Sequence, residues 1–289
     1  MHYITAKTIL SPQNGMNLYR GCTHGCIYCD SRSSCYGMDH PFEDIAVKEN
    51  ALFLLEKALR SRRKPCMIGT GSMSDPYMPL EKELELTRGA LQLICHYGFG
   101  ATLITKSDLV LRDIDLLKKI NDRTKCVVQM TLTTYDDSLC KKLEPGVCAT
   151  SRRFEVLCSL KEAGIPTVVW LSPILPFIND TAENISGLLD YCIKAGVKGV
   201  ICFGMGLTLR EGNREHFYAQ LDRLFPGVKE RYISAFGQRY GNLSLHHQDL
   251  MSLFHQTCAN HGLMHSNDRI FAYLNTFEQK NAPVQLSLF

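Results

Sequence analysis

The sequence predicts an α/β fold, a partial (β/α)6 barrel followed by a helix-rich C-terminal extension, and three observations carry that prediction. Short apolar runs alternate with longer amphipathic ones, as the strands and helices of a parallel sheet do. Several amphipathic stretches close on glycine, at Tyr97-Gly98, Ala163-Gly164 and Ala195-Gly196, the residue that ends a helix in a left-handed turn. A chain of 289 residues with 45% apolar content is long enough to bury one full barrel core.

The first strand is expected around Asn17 to Tyr19, running into a cysteine-rich loop. The next five are MIGTG (67–71), ATLITK (101–106), CVVQMTLTT (126–134), PTVVWLSP (166–173) and GVICFGMGL (199–207). Amphipathic stretches near 47–60, 82–97, 109–120, 151–163 and 182–195 separate them, which makes six βα units and assigns residues 1–225 to the barrel. From about Phe225 the alternation fades into a helix-rich extension, 226–275, and then a polar tail, 276–289, that ends in QLSLF. Parallel barrels carry their chemistry on the loops after the strands. The residues to read are therefore Cys22 to Cys29, then Ser72, Ser74 and Asp75, then Lys106, Thr131 to Asp136, Ser172, and Met205 to Arg210.

Composition narrows the class. No run of about 18 apolar residues occurs and the start MHYITAKTIL lacks signal-peptide order, so a soluble cytoplasmic protein with no membrane partner is expected. Thirteen cysteines, an odd count scattered through apolar segments, fit buried thiols in a reducing compartment better than a disulfide framework. A net charge of +3 is too small to demonstrate a nucleic-acid partner. The basic clusters Arg60, Arg62, Arg63, Lys64 and Arg152, Arg153 read first as solvated helix ends and second as phosphate contacts.

The segment GCTHGCIYC places Cys22, Cys26 and Cys29 with three and two residues between them. Thiolates suit iron–sulfur clusters, and a four-iron cubane needs one external ligand per iron. Three cysteines leave one iron open, able to chelate the amino and carboxylate groups of a methionine moiety. A zinc site would need a fourth ligand, for which His24 or Cys35 offers itself, yet no second CxxC or HxxxH pair stands at finger spacing.

This loop resembles that of the radical S-adenosylmethionine (SAM) superfamily, and the longer run NLYRGCTHGCIYCDSR is similar to its spore photoproduct lyase-like branch, also labelled DNA repair photolyase. Further matches are GSMSDPYMPLEKELELTR (71–88), ITKSDLVLRDIDLL (104–117), LEPGVCATSRR (143–153), KEAGIP (161–166) and SPILPFIND (172–180), so the resemblance covers roughly residues 16 to 210. It implies a barrel of the radical SAM type, a [4Fe-4S] cluster on the three cysteines, S-adenosyl-L-methionine as second cofactor, and a flavodoxin or ferredoxin as one-electron donor. The implied reaction is reductive cleavage to a 5′-deoxyadenosyl radical that removes a hydrogen atom from substrate.

By the same resemblance, Tyr28 packs over the cofactor's adenine or else in the core, Ser74 and Asp75 meet its methionine end, and Lys106 meets its carboxylate. Thr131 and Ser172 map to ribose and backbone contacts or to strand-end caps. Ser72, in the same cofactor-binding loop, stands where spore photoproduct lyases carry a hydrogen-donating cysteine, and Asp30 stands where they carry a second tyrosine. These two departures argue against thymine-dimer reversal in its known form. Cys35, Cys140 and Cys148 are the candidate replacement donors, with ordinary half-buried cysteines as the other reading.

Gln285-Leu286-Ser287-Leu288-Phe289 resembles the pentapeptide with which bacterial repair and replication proteins bind the sliding clamp, the alternative being a tail that folds back on the barrel or pairs as an edge strand. Clamp binding would place the protein on DNA. The histidines His246, His247, His255, His261 and His265 with Cys258 invite a metal, but Leu250, Met251, Phe254 and Cys258 recur at helical spacing and favour a packed amphipathic helix. Three functions stay open: radical chemistry on a nucleic acid such as damaged DNA; the same chemistry on RNA, peptide or small molecule; and a cluster-bearing DNA- or clamp-binding redox sensor.

Overall fold

The computed structural model describes residues 1–280. Its centre is a six-stranded sheet in chain order: β1 (Gly15–Met16), β2 (Met67–Thr70), β3 (Gly100–Thr105), β4 (Cys126–Thr131), β5 (Thr167–Trp170) and β6 (Gly199–Ile201). All neighbours pair in parallel. β1 and β6 are the two edges of the sheet, so the barrel is partial. Helices α1 (Ala51–Ser61), α2 (Leu86–His96), α3 (Ile114–Arg123), α4 (Thr150–Glu162) and α5 (Ala182–Ala195) make the crossovers.

Both faces of the strands are buried, which is why they read as near-continuous apolar runs. Along β4, Cys126, Val128 and Met130 join the main core with Leu117 and Ile120 of α3 and Leu157 and Leu160 of α4. Val127, on the opposite face, packs with Val168 and Ile201 against Ile270 and Leu274 of the last helix. Gln129, two residues on, donates to Thr102 Oγ1 (2.7 Å) and accepts from Trp170 Nε1 (2.7 Å), a polar brace across the barrel interior. The inside of the barrel is thus filled at one end by the chain's own C-terminal region.

After β6 come α6 (Asn213–Leu224), α7 (Val228–Phe236), α8 (His247–Asn260) and α9 (Asn267–Asn275). Leu250, Phe254 and Cys258 of α8 are buried in the main core, as the helical spacing predicts. Met205 N donates to His247 Nδ1 (3.2 Å), and among the described residues no ligand group of the extension gathers for a metal. No helix of the described residues is long and apolar enough to cross a membrane.

Two strand assignments need correction. The barrel strand before the cysteine loop is Gly15–Met16, whereas Tyr19–Arg20 pairs antiparallel with Ala46–Lys48 in a separate sheet whose third strand is His2–Ile4. The run 199–207 is two strands: β6, and β7 (Gly206–Thr208), which pairs antiparallel with β8 (Gly241–Leu243). Gly204 at φ 131° lets the chain turn out of the barrel between them.

Candidate active site

The cysteine loop leaves the Tyr19–Arg20 strand at Gly21, whose φ is 87° and where a Cβ would lie 2.4 Å from the carbonyl oxygen of Phe42. Only glycine fits there. Cys22 N donates to that same carbonyl (3.2 Å), Gly146 N donates to His24 O (2.8 Å), and Ile27 N donates to Leu143 O (3.0 Å). His24 is buried, with Nδ1 3.1 Å from the Gly146 carbonyl oxygen and Nε2 3.1 Å from the Asp75 carboxylate. The loop is therefore fixed by backbone contacts with the segment after β4.

Cys22, Cys26 and Cys29 line a cavity of about 120 Å³ together with Ser72, Ser74, Asp75, Lys106 and Thr131. Burial pushes the Cys22 thiol up to about 12 and the Cys26 thiol well above its ordinary range. Thiolates at such depth need a cationic centre to hold them. Among the described residues, the ligand atoms gathered within 4.8 Å of one another are those of His2, His40 and Asp44. The sulfurs of the three loop cysteines are not all within that distance of one another, whereas one tetrahedral zinc with bonds of about 2.3 Å would draw them to roughly 3.8 Å. A cluster whose ligands sit on separate irons fits that set, and Cys22, Cys26 and Cys29 would hold it.

A larger cavity of about 390 Å³ adjoins it and shares Cys29 and Lys106 as lining residues. Tyr28, Asp30, Ser172, Phe203, Gly204, Leu207 and Leu243 complete much of its wall. Phe203 is 63% exposed and Leu243 50%, unusual for large apolar side chains beside a cavity. Sequence reasoning passed over both. Phe203 looked like the middle of a strand, and Leu243 comes from β8, which carries no local strand signal.

The structure divides the residues assigned to the cofactor. Tyr28, Lys106 and Ser172 line the larger cavity; Ser72, Ser74, Asp75 and Thr131 face the cluster cavity. Asp75 accepts from Tyr77 N (2.9 Å), Thr105 Oγ1 (2.7 Å) and Lys106 N (2.8 Å), and Ser74 Oγ donates to Tyr19 O (3.1 Å), so both also hold the loops together. Burial opposes ionisation of Asp75, but His24 and these hydrogen bonds outweigh it and lower its carboxyl to about 2. Lys106 is held above the usual lysine range: burial opposes its charge, and Cys26 and Glu144 outweigh that.

Tyr28 is buried at the wall and its hydroxyl donates to Glu144. Glu144 pairs with Arg153, and both are fully buried. Arg153 is thus neither a solvated helix end nor a phosphate contact, because its guanidinium is enclosed by the carbonyls of Thr131 (3.0 Å) and Cys148 (3.1 Å). Arg152 is exposed, as expected, and pairs with Asp108 and Glu155.

The candidate hydrogen donors also separate. Cys140 is 1% exposed, with Arg153 3.3 Å from its sulfur. Cys148 lines a different, polar cavity beside His24, Lys82 and Arg112. Cys35 is exposed, 3.3 Å from Arg210, whose Nε lies 3.7 Å from the Asp30 carboxylate at the wall of the larger cavity. The pentapeptide Gln285 to Phe289 lies outside the described residues.

The profile of the Radical SAM superfamily matches residues 16–192, more than half of the chain. An uncharacterized protein of Mycobacterium tuberculosis is 31% identical over 225 residues, 75% of this chain and 65% of that protein, so the chain spans just under two thirds of this relative's length. An uncharacterized protein of Methanocaldococcus jannaschii is 35% identical over 167 residues, 57% of this chain and 61% of that protein. Among solved structures, spore photoproduct lyase complexed with dinucleoside spore photoproduct shares the fold at a TM-score of 0.63 and 14% identity, covering 90% of this chain and 78% of that one. The chain belongs to the radical SAM superfamily, whose cofactors are a [4Fe-4S] cluster and S-adenosylmethionine.

Proposed function

We propose that this chain is a radical SAM enzyme acting on a nucleic acid, in DNA repair or modification. The observation that carries the reading is the pair of adjoining cavities. A thiol-lined one that fits a cluster opens, through Cys29 and Lys106, beside a larger one walled by Tyr28 and by the exposed Phe203 and Leu243. Bound there, the cofactors supply a 5′-deoxyadenosyl radical after one-electron reduction by a flavodoxin or ferredoxin. The Lys106 ammonium offers a point charge to a carboxylate. Phe203 and Leu243 give flat apolar surface against which a base can stack and from which water is excluded. The fold shared with a lyase solved with a dinucleoside photoproduct supports a nucleic-acid substrate. Ser72 and Asp30 support a reaction different from that enzyme's.

The test is 5′-deoxyadenosine formation by the cluster-reconstituted, reduced protein with and without DNA. Stimulation by single-stranded or duplex DNA is expected. Formation stimulated only by RNA or peptide overturns the DNA assignment, and none at full cluster occupancy favours the redox sensor. Among the donors, Cys35→Ala is expected to uncouple cleavage from product, while Cys140→Ala and Cys148→Ala are not. The tail reading predicts that removing 285–289 abolishes capture by a bacterial sliding clamp.

A further inference from the structure

The N-terminal sheet carries two cations, Arg20 and Lys48, that form no ion pair among the described residues. Arg20 pairs opposite Ala46, and Lys48 stands two residues further along that partner strand. Both side chains therefore leave the same face as diagonal neighbours. With Asn17, Tyr36, Met38 and Met73 they line a cavity of about 300 Å³ whose walls include no acidic residue among the described residues. Arg20 donates to the carbonyls of Gly37 (3.1 Å) and Tyr36 (3.4 Å), and Lys48 donates to Asn17 O (2.6 Å). A guanidinium has five donors and an ammonium three, so several stay available to a ligand.

One further feature suits an anion. Burial, with the Arg20 charge beside it, holds the Lys48 ammonium below the usual lysine range. Like charges sharing a partly buried site are a cost that a bound anion removes.

We propose that the Arg20–Lys48 cavity binds a phosphate group, carried either by a substrate strand or by a free nucleotide. Tyr36 connects it to the active site. It lines this cavity, and its hydroxyl donates to Asp30 (2.8 Å), which lines the 390 Å³ cavity. Arg210 meets the same hydroxyl at 3.3 Å and Tyr240 Oη at 2.8 Å, which extends the cationic and aromatic surface along the rim. A strand crossing this ridge would run from the larger cavity to Arg20 and Lys48 by way of Asp30 and Tyr36. The strand as source rests on the function proposed above; the phosphate chemistry does not.

The experiment uses the reconstituted full chain, its Lys48→Gln, Lys48→Arg and Arg20→Gln variants, and two probes: a dye-labelled single strand of about ten nucleotides, and inorganic phosphate or thymidine 5′-monophosphate read by thermal shift. Iron content and circular dichroism confirm that each variant is loaded and folded. Lys48→Gln is expected to weaken the strand about tenfold and to lower the slope of log affinity against log salt by about 0.7, with Lys48→Arg restoring both. Loss confined to the small phosphates identifies a free nucleotide as the source and sinks the strand arm alone. A wild-type protein that binds neither probe overturns the phosphate site, as do Gln variants that bind both undiminished. Slower reduction of such variants by an acidic flavodoxin would then assign the two cations to a protein partner instead.

Discussion

Tyr19 precedes the cysteine loop and Tyr28 lies within it, and each donates its hydroxyl hydrogen to a fully buried glutamate, Glu81 and Glu144. Each glutamate meets an arginine, and there the likeness ends. Arg153 is fully buried and bonded all round, to Glu144, Thr131 O, Cys148 O and the Cys140 sulfur. Arg112 is 20% exposed and divides itself between Glu81 and Asp113. Burial opposes the charge of Glu144, but Arg153 and Lys106 outweigh it and hold its carboxyl below the usual range. At Glu81 burial wins over the hydrogen bonds from Tyr19 and Arg112, and the carboxyl is pushed up. The anchor under the larger cavity is a closed ion pair; the other is a carboxyl raised by burial, with a partly exposed partner.

Breaking the arginines should show this most strongly. Arg153→Met leaves Glu144 buried without its partner and should cost about 3–5 kcal/mol, whereas Arg112→Met should cost less, about 1–3 kcal/mol, because Glu81, already raised, can take up a proton and Asp113 keeps Arg88 (2.8 Å). Thermal unfolding of the cluster-loaded variants measures both, and equal losses would erase the distinction. Joint replacement, Arg153→Met with Glu144→Leu, removes both charges and should recover most of the lost stability.

The two glutamates should also respond to pH with opposite sign. Glu144 is depressed in the fold, so its contribution is present above the unfolded value of 4.5 and is lost as pH falls through the lower folded value. Glu81 is raised, so the folded state holds its proton more tightly. Its contribution is present below 4.5 and is lost as pH rises through the higher folded value. Urea denaturation from about pH 3 to pH 7 should find that Glu144→Gln flattens the acid limb and Glu81→Gln the limb above 4.5. The same limb flattened by both variants would contradict the assignment.

Much of the frame was legible because its signals are local. The stretch 182–195 is α5 to the residue, bounded by Thr181 capping Asn184 N and by Gly196 in the left-handed region. The cysteine loop announces itself by spacing alone. What escaped depends on partners distant in sequence. Arg153 lies in SRRF, which looks like any helix start, and only folding brings it to Glu144 and to the Thr131 carbonyl at the end of β4. Asp75 looks like a mouth residue because a polar side chain after a strand reads alike whether it faces a ligand or ties down the Lys106 amide. Tyr19–Arg20 could not be separated from the barrel because its pairing with Ala46–Lys48 spans the whole cysteine loop.

The finest distinction between the anchors lies in the tyrosine hydroxyls. Tyr28→Phe removes a hydrogen bond to an ionised carboxylate that keeps Arg153 and Thr133 Oγ1 (3.3 Å). Tyr19→Phe removes one to a carboxyl that keeps Thr87 N (2.9 Å) and Arg112. Neither glutamate is stripped of partners, so each loss should be near 1 kcal/mol, the larger at Tyr28 because a charged acceptor holds a hydroxyl more strongly. That inequality should itself depend on pH. Near pH 4.5 the raised Glu81 holds its proton more tightly than the lowered Glu144 and the costs should differ; well above the raised value both carboxylates are charged and the costs should converge. Urea denaturation of the two variants at the two pH values measures this, and a gap that stays constant would mean that Glu81 is ionised throughout, leaving Arg112's exposure as the whole difference between the anchors.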